Sequence, residues 1–183
     1  MAILTVSREF GSGGREIGQA VAEFLGYKYV NKERILDDIR AAGKKWEEWG
    51  KDIDEHCPTV WEKYDWSFRG FVALLQSHIL NYAFSDKVVI MGRGGNFLLK
   101  DIPHALRIRV IAPIEVRVEM IMKRKSVDRK TARWLAEKTD SERACFIHDI
   151  YGKNWNDPAE YDMVYDTGTQ TVDEIVNIVK NTL

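Results

Sequence analysis

Cysteine and proline are scarce in this chain, and so is any imbalance of charge. Only 2 cysteines, Cys57 and Cys145, occur in 183 residues, and neither belongs to a CxxC pair or a Cys/His cluster. That pattern argues against a disulfide framework and a structural zinc site, so reduced thiols are expected. With 4 prolines and no Gly- or Ser-rich stretch there is no linker, so a single domain over 1–183 is expected. Lys and Arg number 27 against 28 Asp and Glu, a net charge of -1. This argues against a protein that coats nucleic acid through its overall charge and leaves local basic patches open. No run approaches the roughly 20 apolar residues of a membrane span. The opening MAILTVSREF loses its apolar character at Ser7-Arg8-Glu9, too early for a signal-peptide core. A cytoplasmic protein that engages no membrane is the expectation.

What is present is a chain 45% hydrophobic, enough for a sizeable core. Ala2–Val6, Tyr27–Val30, Lys87–Met91, Arg107–Ala112 and Asp162–Asp166 read as strands. Several are continuous apolar runs, as in a sheet covered on both faces. Helical spacing follows the first: Ile17, Val21, Phe24 and Leu25, closed by Gly26. Lys32–Arg40 reads as a short helix, and Phe68, Phe71, Val72, Leu75, Ile79, Tyr82 and Ala83 mark a long one. Thr171 to Glu174 forms a capping box before a last helix. Strands alternating with helices imply an α/β fold with a mostly parallel sheet of about five strands.

Ligands in such folds bind beyond the carboxyl ends of the strands. The unusual residues fall there: Gly11–Arg15 after the first strand, Asn31 after the second, Gly92-Arg93 after the third and Asp166-Thr167 after the last. The strand, glycine loop and helix of Ala2–Leu25 have the form of a phosphate cradle, with backbone N–H groups and a helix N-terminus facing the ligand. The standard loop G-x-x-x-x-G-K-[ST] is not matched. With Gly13 as the second glycine, Arg8, Gly14 and Arg15 replace the first glycine, the lysine and the hydroxyl residue. With Gly14 as the second glycine, Glu9, Arg15 and Glu16 do. On either reading Arg15 is taken as the cation of the motif, and Gly11, Ser12, Gly13, Gly14, Arg15 and Glu16 are the candidate phosphate-binding residues. A tight turn that needs glycine for backbone reasons alone is the competing reading.

Two further segments stand out. Lys44–Asp65 carries four positive and seven negative residues with Trp46, Trp49 and Trp61, and Trp66 just beyond. It reads as an excursion from the core. Its tryptophans suit packing onto the long helix, or else the wall of an acceptor pocket or a homodimer surface. Arg107–Arg133 holds nine cations and three acids. In a phosphoryl-transfer enzyme such a segment forms a lid whose arginines neutralise developing charge. Trp134 is the nearest aromatic, so base stacking on nucleic acid is poorly supported.

The order of elements, Ser7-Arg8-Glu9-Phe10-Gly11-Ser12-Gly13-Gly14, Gly92-Arg93, and the basic segment before Asp140-Ser141-Glu142-Arg143 resemble the nucleoside monophosphate kinases. The resemblance is closest to the cytidylate kinase-like family, in a divergent branch whose first loop reads S-R-E-x-G-S-G-G. It implies a three-layer P-loop NTPase-like fold with helical insertions: 44–65 on the acceptor side and about 123–153 as the lid. It implies transfer of the ATP γ-phosphoryl to a nucleoside monophosphate such as CMP or dCMP, with Mg²⁺ present. Arg93 and Asn31 then hold the acceptor. Asp140 and Arg143 match the lid's D-x-x-R element, Arg129 and Arg133 are its other arginines, and Arg15 and Arg143 act in catalysis. Cytidylate kinases carry D-G-R-D after the third strand, and Met91-Gly92-Arg93-Gly94 lacks both acids. A non-catalytic nucleotide- or phosphate-binding module, or a kinase of another small molecule, remains open on the same fold.

Overall fold

A computed structural model describes residues 2–42 and 57–183. Five strands form one parallel sheet: β1 (Ile3–Arg8), β2 (Lys28–Val30), β3 (Val88–Met91), β4 (Ala105–Ile111) and β5 (Met163–Asp166), in the order β2-β3-β1-β4-β5. The helices are α1 (Gly14–Leu25), α2 (Lys32–Ala42), α3 (Val60–Tyr64), α4 (Trp66–Ser85), α5 (Gly95–Leu98), α6 (Ile114–Lys125), α7 (Arg129–Tyr151) and α8 (Val172–Thr182).

Both faces of the sheet are covered, so β3 is wholly apolar and β1 mostly so over Ile3–Val6. Ile3, Val88 and Ile90 face a cluster built on α2, α4 and α7, with Ile35, Leu75, Ile79 and Phe146. Leu4, Val6, Val89 and Met91 face the opposite cluster on α1 and α8, with Ile17, Val21, Ile175 and Val179. Each fully buried side chain of this size contributes about 1.5–3 kcal/mol of transfer free energy. A third, smaller cluster joins α6 to α7 through Val118, Ile121, Ala132 and Ala136, with Phe10 against it.

Several boundaries differ from the sequence reading for local reasons. Strand β1 runs on through Ser7 and Arg8 because β4 continues beside it, with Ser7 opposite Arg109 and Arg8 opposite Val110. Helix α1 starts at Gly14, a turn ahead of the first apolar position Ile17, because Gly13 at φ 81 forms its N-cap. The short helix α5 was not anticipated. It follows a turn in which Gly92, Arg93 and Gly94 all have positive φ.

The cysteines require a correction. Cys57 and Cys145 form a disulfide across a sequence separation of 88, with Cα atoms 5.0 Å apart. Spacing cannot reveal it, since Cys145 lies on α7 and Cys57 just ahead of α3. A parallel tie joins the same segments: Lys63 pairs with Asp149 at 2.8 Å. Burial alone would raise the Asp149 carboxyl, but hydrogen bonds from Lys63 and His148 outweigh it and hold the carboxyl below its ordinary value.

Most of the segment 44–65, expected to be an acceptor-side excursion, lies outside the described residues, Trp46 and Trp49 included. Within its described part, Trp61 is 86% exposed and Trp66, just beyond, 82%. Neither ring is buried, although Trp66 is itself the first residue of α4. The single turn and a half of α3 buries no residue, and Trp66 instead lies under the Arg69 guanidinium at 5.5 Å.

Candidate active site

The site is built where β1, β2 and β3 end. A cavity of about 400 Å³ opens there, lined by the loop from Arg8 to Glu16, by Tyr29, Asn31, Lys32 and Glu33, by Met91 and Arg93, and by Arg124, Lys125 and Arg143. Seven of these residues are cations and three are carboxylates. The predicted residues Gly11, Ser12, Gly13, Gly14, Arg15, Glu16, Asn31, Arg93 and Arg143 are therefore brought together.

The loop is held rigidly from below. Ser12 is 2% exposed. Its hydroxyl donates to the carbonyls of Glu9 at 2.9 Å and Val110 at 3.1 Å, so it shapes the loop from inside. Thr167 braces the far side by donating to the Ser12 carbonyl at 2.9 Å. The turn after β5 thus supports the loop and does not line the cavity. Glu9 turns away from the cavity centre, accepting from the Ala112 N–H at 3.1 Å and lying 3.4 Å from Arg117.

Asp140 and Arg117 complete the support. Asp140 accepts the Phe10 N–H at 2.8 Å and Arg117 Nη1 at 2.5 Å. Its approach to Arg143 is longer, 3.8 Å. Asp140 sits behind the loop rather than in the cavity wall. Arg117 and Arg109, counted from the sequence within the basic run of the lid, are buried structural groups. Arg109 donates to the Trp155 carbonyl at 2.7 Å and stacks on that ring at 4.1 Å.

Arg129 and Arg133 stand apart from the site. Arg129 pairs with Glu115 at 2.8 Å and with Glu119, and Arg133 pairs with Glu115. These pairs lie along the exposed faces of α6 and α7, where composition alone suggested a lid. The cations that do reach the rim are Arg124, Lys125 and Arg143, which surround the Phe10 ring at 5.1, 5.9 and 5.8 Å. An aromatic face stabilises cations at such distances, and it gathers three of them here. Arg143 also donates to the Arg8 carbonyl at 2.9 Å, tying α7 to the end of β1.

Behind Arg93, the strand-end turn carries local strain. This arginine adopts φ 58 while only 2% exposed. A left-handed non-glycine residue costs about 1–3 kcal/mol, and such strain clusters at functional sites. Tyr151 fixes the turn by donating to the Arg93 carbonyl at 2.8 Å. Asn31 accepts the Arg34 N–H at 3.0 Å and so caps α2 while facing the cavity. Tyr29 senses the field of the site. Burial raises its hydroxyl pKa overall, and the nearby charges of Arg15 and Arg8 pull in the opposite direction.

Comparison with known proteins places the chain in a family. Residues 3–169 match the model of the cytidylate kinase-like family. The chain belongs to that family. A cytidylate kinase from Methanopyrus kandleri is 26% identical over 186 residues, covering 97% of this chain and 91% of its own. An uncharacterized protein from Eubacterium ventriosum shares the fold at TM-score 0.80 and 21% identity, over 100% of this chain and 98% of its own. Shikimate kinase from Bacteroides thetaiotaomicron shares it at TM-score 0.59 and 12% identity, over 99% and 97%. No described helix is long and apolar enough to cross a membrane.

Membership of a kinase-like family brings ATP and usually Mg²⁺ into consideration. The hydroxyl ligand of the standard loop is absent, since Arg15 or Glu16 stands in its place. Glu9 is taken by Arg117. Glu16 and Glu33 remain on the cavity wall, and Glu16 is only loosely paired, 3.9 Å from Arg124. Mg²⁺ is commonly bound through one or two carboxylates plus substrate phosphates. The donor set fits an ion of that kind.

Proposed function

We propose that the protein moves the γ-phosphoryl group of ATP to a nucleoside monophosphate such as CMP or dCMP. The observation that carries this reading is a single electropositive cavity reached both by the loop after β1 and by Arg93 after β3. In-line transfer needs a donor and an acceptor phosphate side by side, and it depends on positioning and charge neutralisation more than on covalent chemistry.

In this reading the backbone N–H groups of Gly13, Gly14 and Arg15, at the N-terminus of α1, hold donor phosphates. Arg15 adds charge from the first turn. Arg93 grips the acceptor phosphate from its buried root, with Asn31 beside it. Arg143 closes over the transferred group. Glu16 or Glu33 would hold Mg²⁺, which when bound neutralises charge on the donor phosphates. The test is ADP release from ATP and Mg²⁺ with a panel of nucleoside monophosphates. Turnover with a pyrimidine monophosphate supports the proposal, and the absence of turnover with every acceptor refutes it. One observation favours a second reading, a nucleotide-binding module without turnover: no lysine stands in the loop. That reading predicts ligand-dependent rises in melting temperature with no ADP release.

A further inference from the structure

The standard phosphate loop places a lysine at the first helical position, reaching the β- and γ-phosphates. Here α1 begins at Gly14 with Gly13 as its N-cap, so the residue at the lysine's place is Gly14. Counting back, the place of the first loop glycine is held by Arg8. The loop has thus lost a lysine at one end and gained an arginine at the other.

The two changes meet in space. A Cβ built on Gly14 would lie 2.5 Å from the Arg8 Cβ, 3.2 Å from its Cγ and 3.3 Å from the Val110 Cβ. The stem of Arg8 fills the room that any side chain on residue 14 would need. Strand pairing with Val110 holds the backbone of Arg8, and Arg143 donates to its carbonyl at 2.9 Å. Arg8 lines the cavity beside Gly13, Gly14 and Arg15. Its charge and that of Arg15 both act on the Tyr29 hydroxyl inside the site. Arg15, by contrast, is exposed at the first turn of α1.

We propose that Arg8 is the phosphate-gripping cation of this loop, standing in for the missing lysine, and that Arg8 and Gly14 form one exchanged unit. The proposal rests on reading the cavity as the donor-phosphate site. Glycine at 8 leaves room for lysine at 14, and arginine at 8 demands glycine at 14. The mixed combinations either lack the cation or overlap two stems. A guanidinium rooted at the strand end presents two parallel N–H donors to phosphate oxygens, where a lysine presents a point charge.

The experiment compares wild type, R8G, G14K and the R8G/G14K double variant, with inorganic tripolyphosphate and ATP as calorimetric probes and melting temperature as the folding control. R8G is expected to weaken tripolyphosphate binding by about tenfold to a hundredfold, the range for losing a charged hydrogen-bonding partner. The double variant is expected to recover to within a few-fold of wild type, although each single change is harmful. G14K alone is expected to melt early. R8G and the double variant decide the question even where G14K does not fold. Unchanged binding in R8G, or a double variant no better than R8G, overturns the proposal. Phosphoryl transfer that continues undiminished in R8G overturns the role of Arg8 and leaves the kinase reading standing. Arg8-dependent tripolyphosphate binding without turnover on any acceptor does the reverse. A wild type that binds neither probe overturns both.

Discussion

Asp140 is expected to be an anchor of the phosphate loop rather than a holder of Arg143, and its removal should therefore be felt first in stability. Its side chain is 17% exposed and that of Arg117 10%, with 2.5 Å between them. The same carboxylate accepts the Phe10 N–H at 2.8 Å, whereas Arg143 stands 3.8 Å away. Removing one partner of a buried ion pair costs about 3–5 kcal/mol. Glu9 stays beside Arg117 at 3.4 Å. Asp140→Ala should thus fall near the lower end, about 3 kcal/mol. Asp140→Asn keeps an acceptor for the Phe10 N–H and should cost roughly half of that. For a chain of this length 3 kcal/mol corresponds to a fall of about 6–12 °C in Tm. Urea unfolding of Asp140→Ala, Arg117→Met and the double variant checks the argument. A coupling above about 0.5 kcal/mol is expected for two groups in direct contact. Additive single changes, or an Asp140→Ala variant as stable as wild type with a depressed kcat, would show that the carboxylate serves Arg143 and not the loop.

Three other outcomes follow from particular contacts. Arg143→Ala should lower kcat on the order of 10³-fold if it meets the transferred phosphoryl group; steady-state kinetics showing a change confined to KM would remove it from that role. Reduction of the Cys57–Cys145 link should lower Tm, with a ceiling of about 4–5 kcal/mol for closing a loop of 88 residues; an identical melt with and without reductant would contradict the pairing. Asp162 is held below its ordinary carboxylate pKa by the hydrogen bonds of Arg107. Its contribution is therefore fully present above about pH 4 and lost as pH falls through the folded value. Urea midpoints at pH 6 and pH 3 should fall further for wild type than for Asp162→Asn, and parallel losses would show that Arg107 gives Asp162 no such shift.

What could be read from the chain in advance depended on whether a residue's role is local. Val88–Met91 is apolar on both faces, and Ile3–Val6 is so apart from Thr5, because helices cover both faces, and that leaves a mark in each segment by itself. Gly26 and the Thr171 capping box are likewise local, and both sit at the expected helix ends. Gly18 lies against Met91 of β3, as close helix–strand packing requires. Ser7 and Arg8 were misplaced in the loop because only pairing with β4 makes them strand. Arg129 and Arg133 were grouped with the site because composition counts charges and does not say which carboxylate each one meets. Arg109 and Arg117 were counted in the same run, though they are buried supports.

The phosphate loop shows the same limit in its sharpest form. A linear motif compares each position with a fixed template, so Arg8 and Gly14 register as two separate failures. The physical requirement is different: one cation near the phosphates, and one stem passing over the start of α1. That requirement constrains a pair of positions six residues apart, and either assignment of arginine or lysine with its complementary glycine satisfies it. The clash distance of 2.5 Å between the Arg8 Cβ and a Cβ on Gly14 makes the two positions a single choice. With this exchange the loop departs from the template in wording while retaining its charge. The missing lysine then carries no weight as an argument against turnover. Restoring the template by R8G/G14K separates these views: recovery of tripolyphosphate binding shows two solutions of one steric problem, and failure shows that Gly14 serves only the turn.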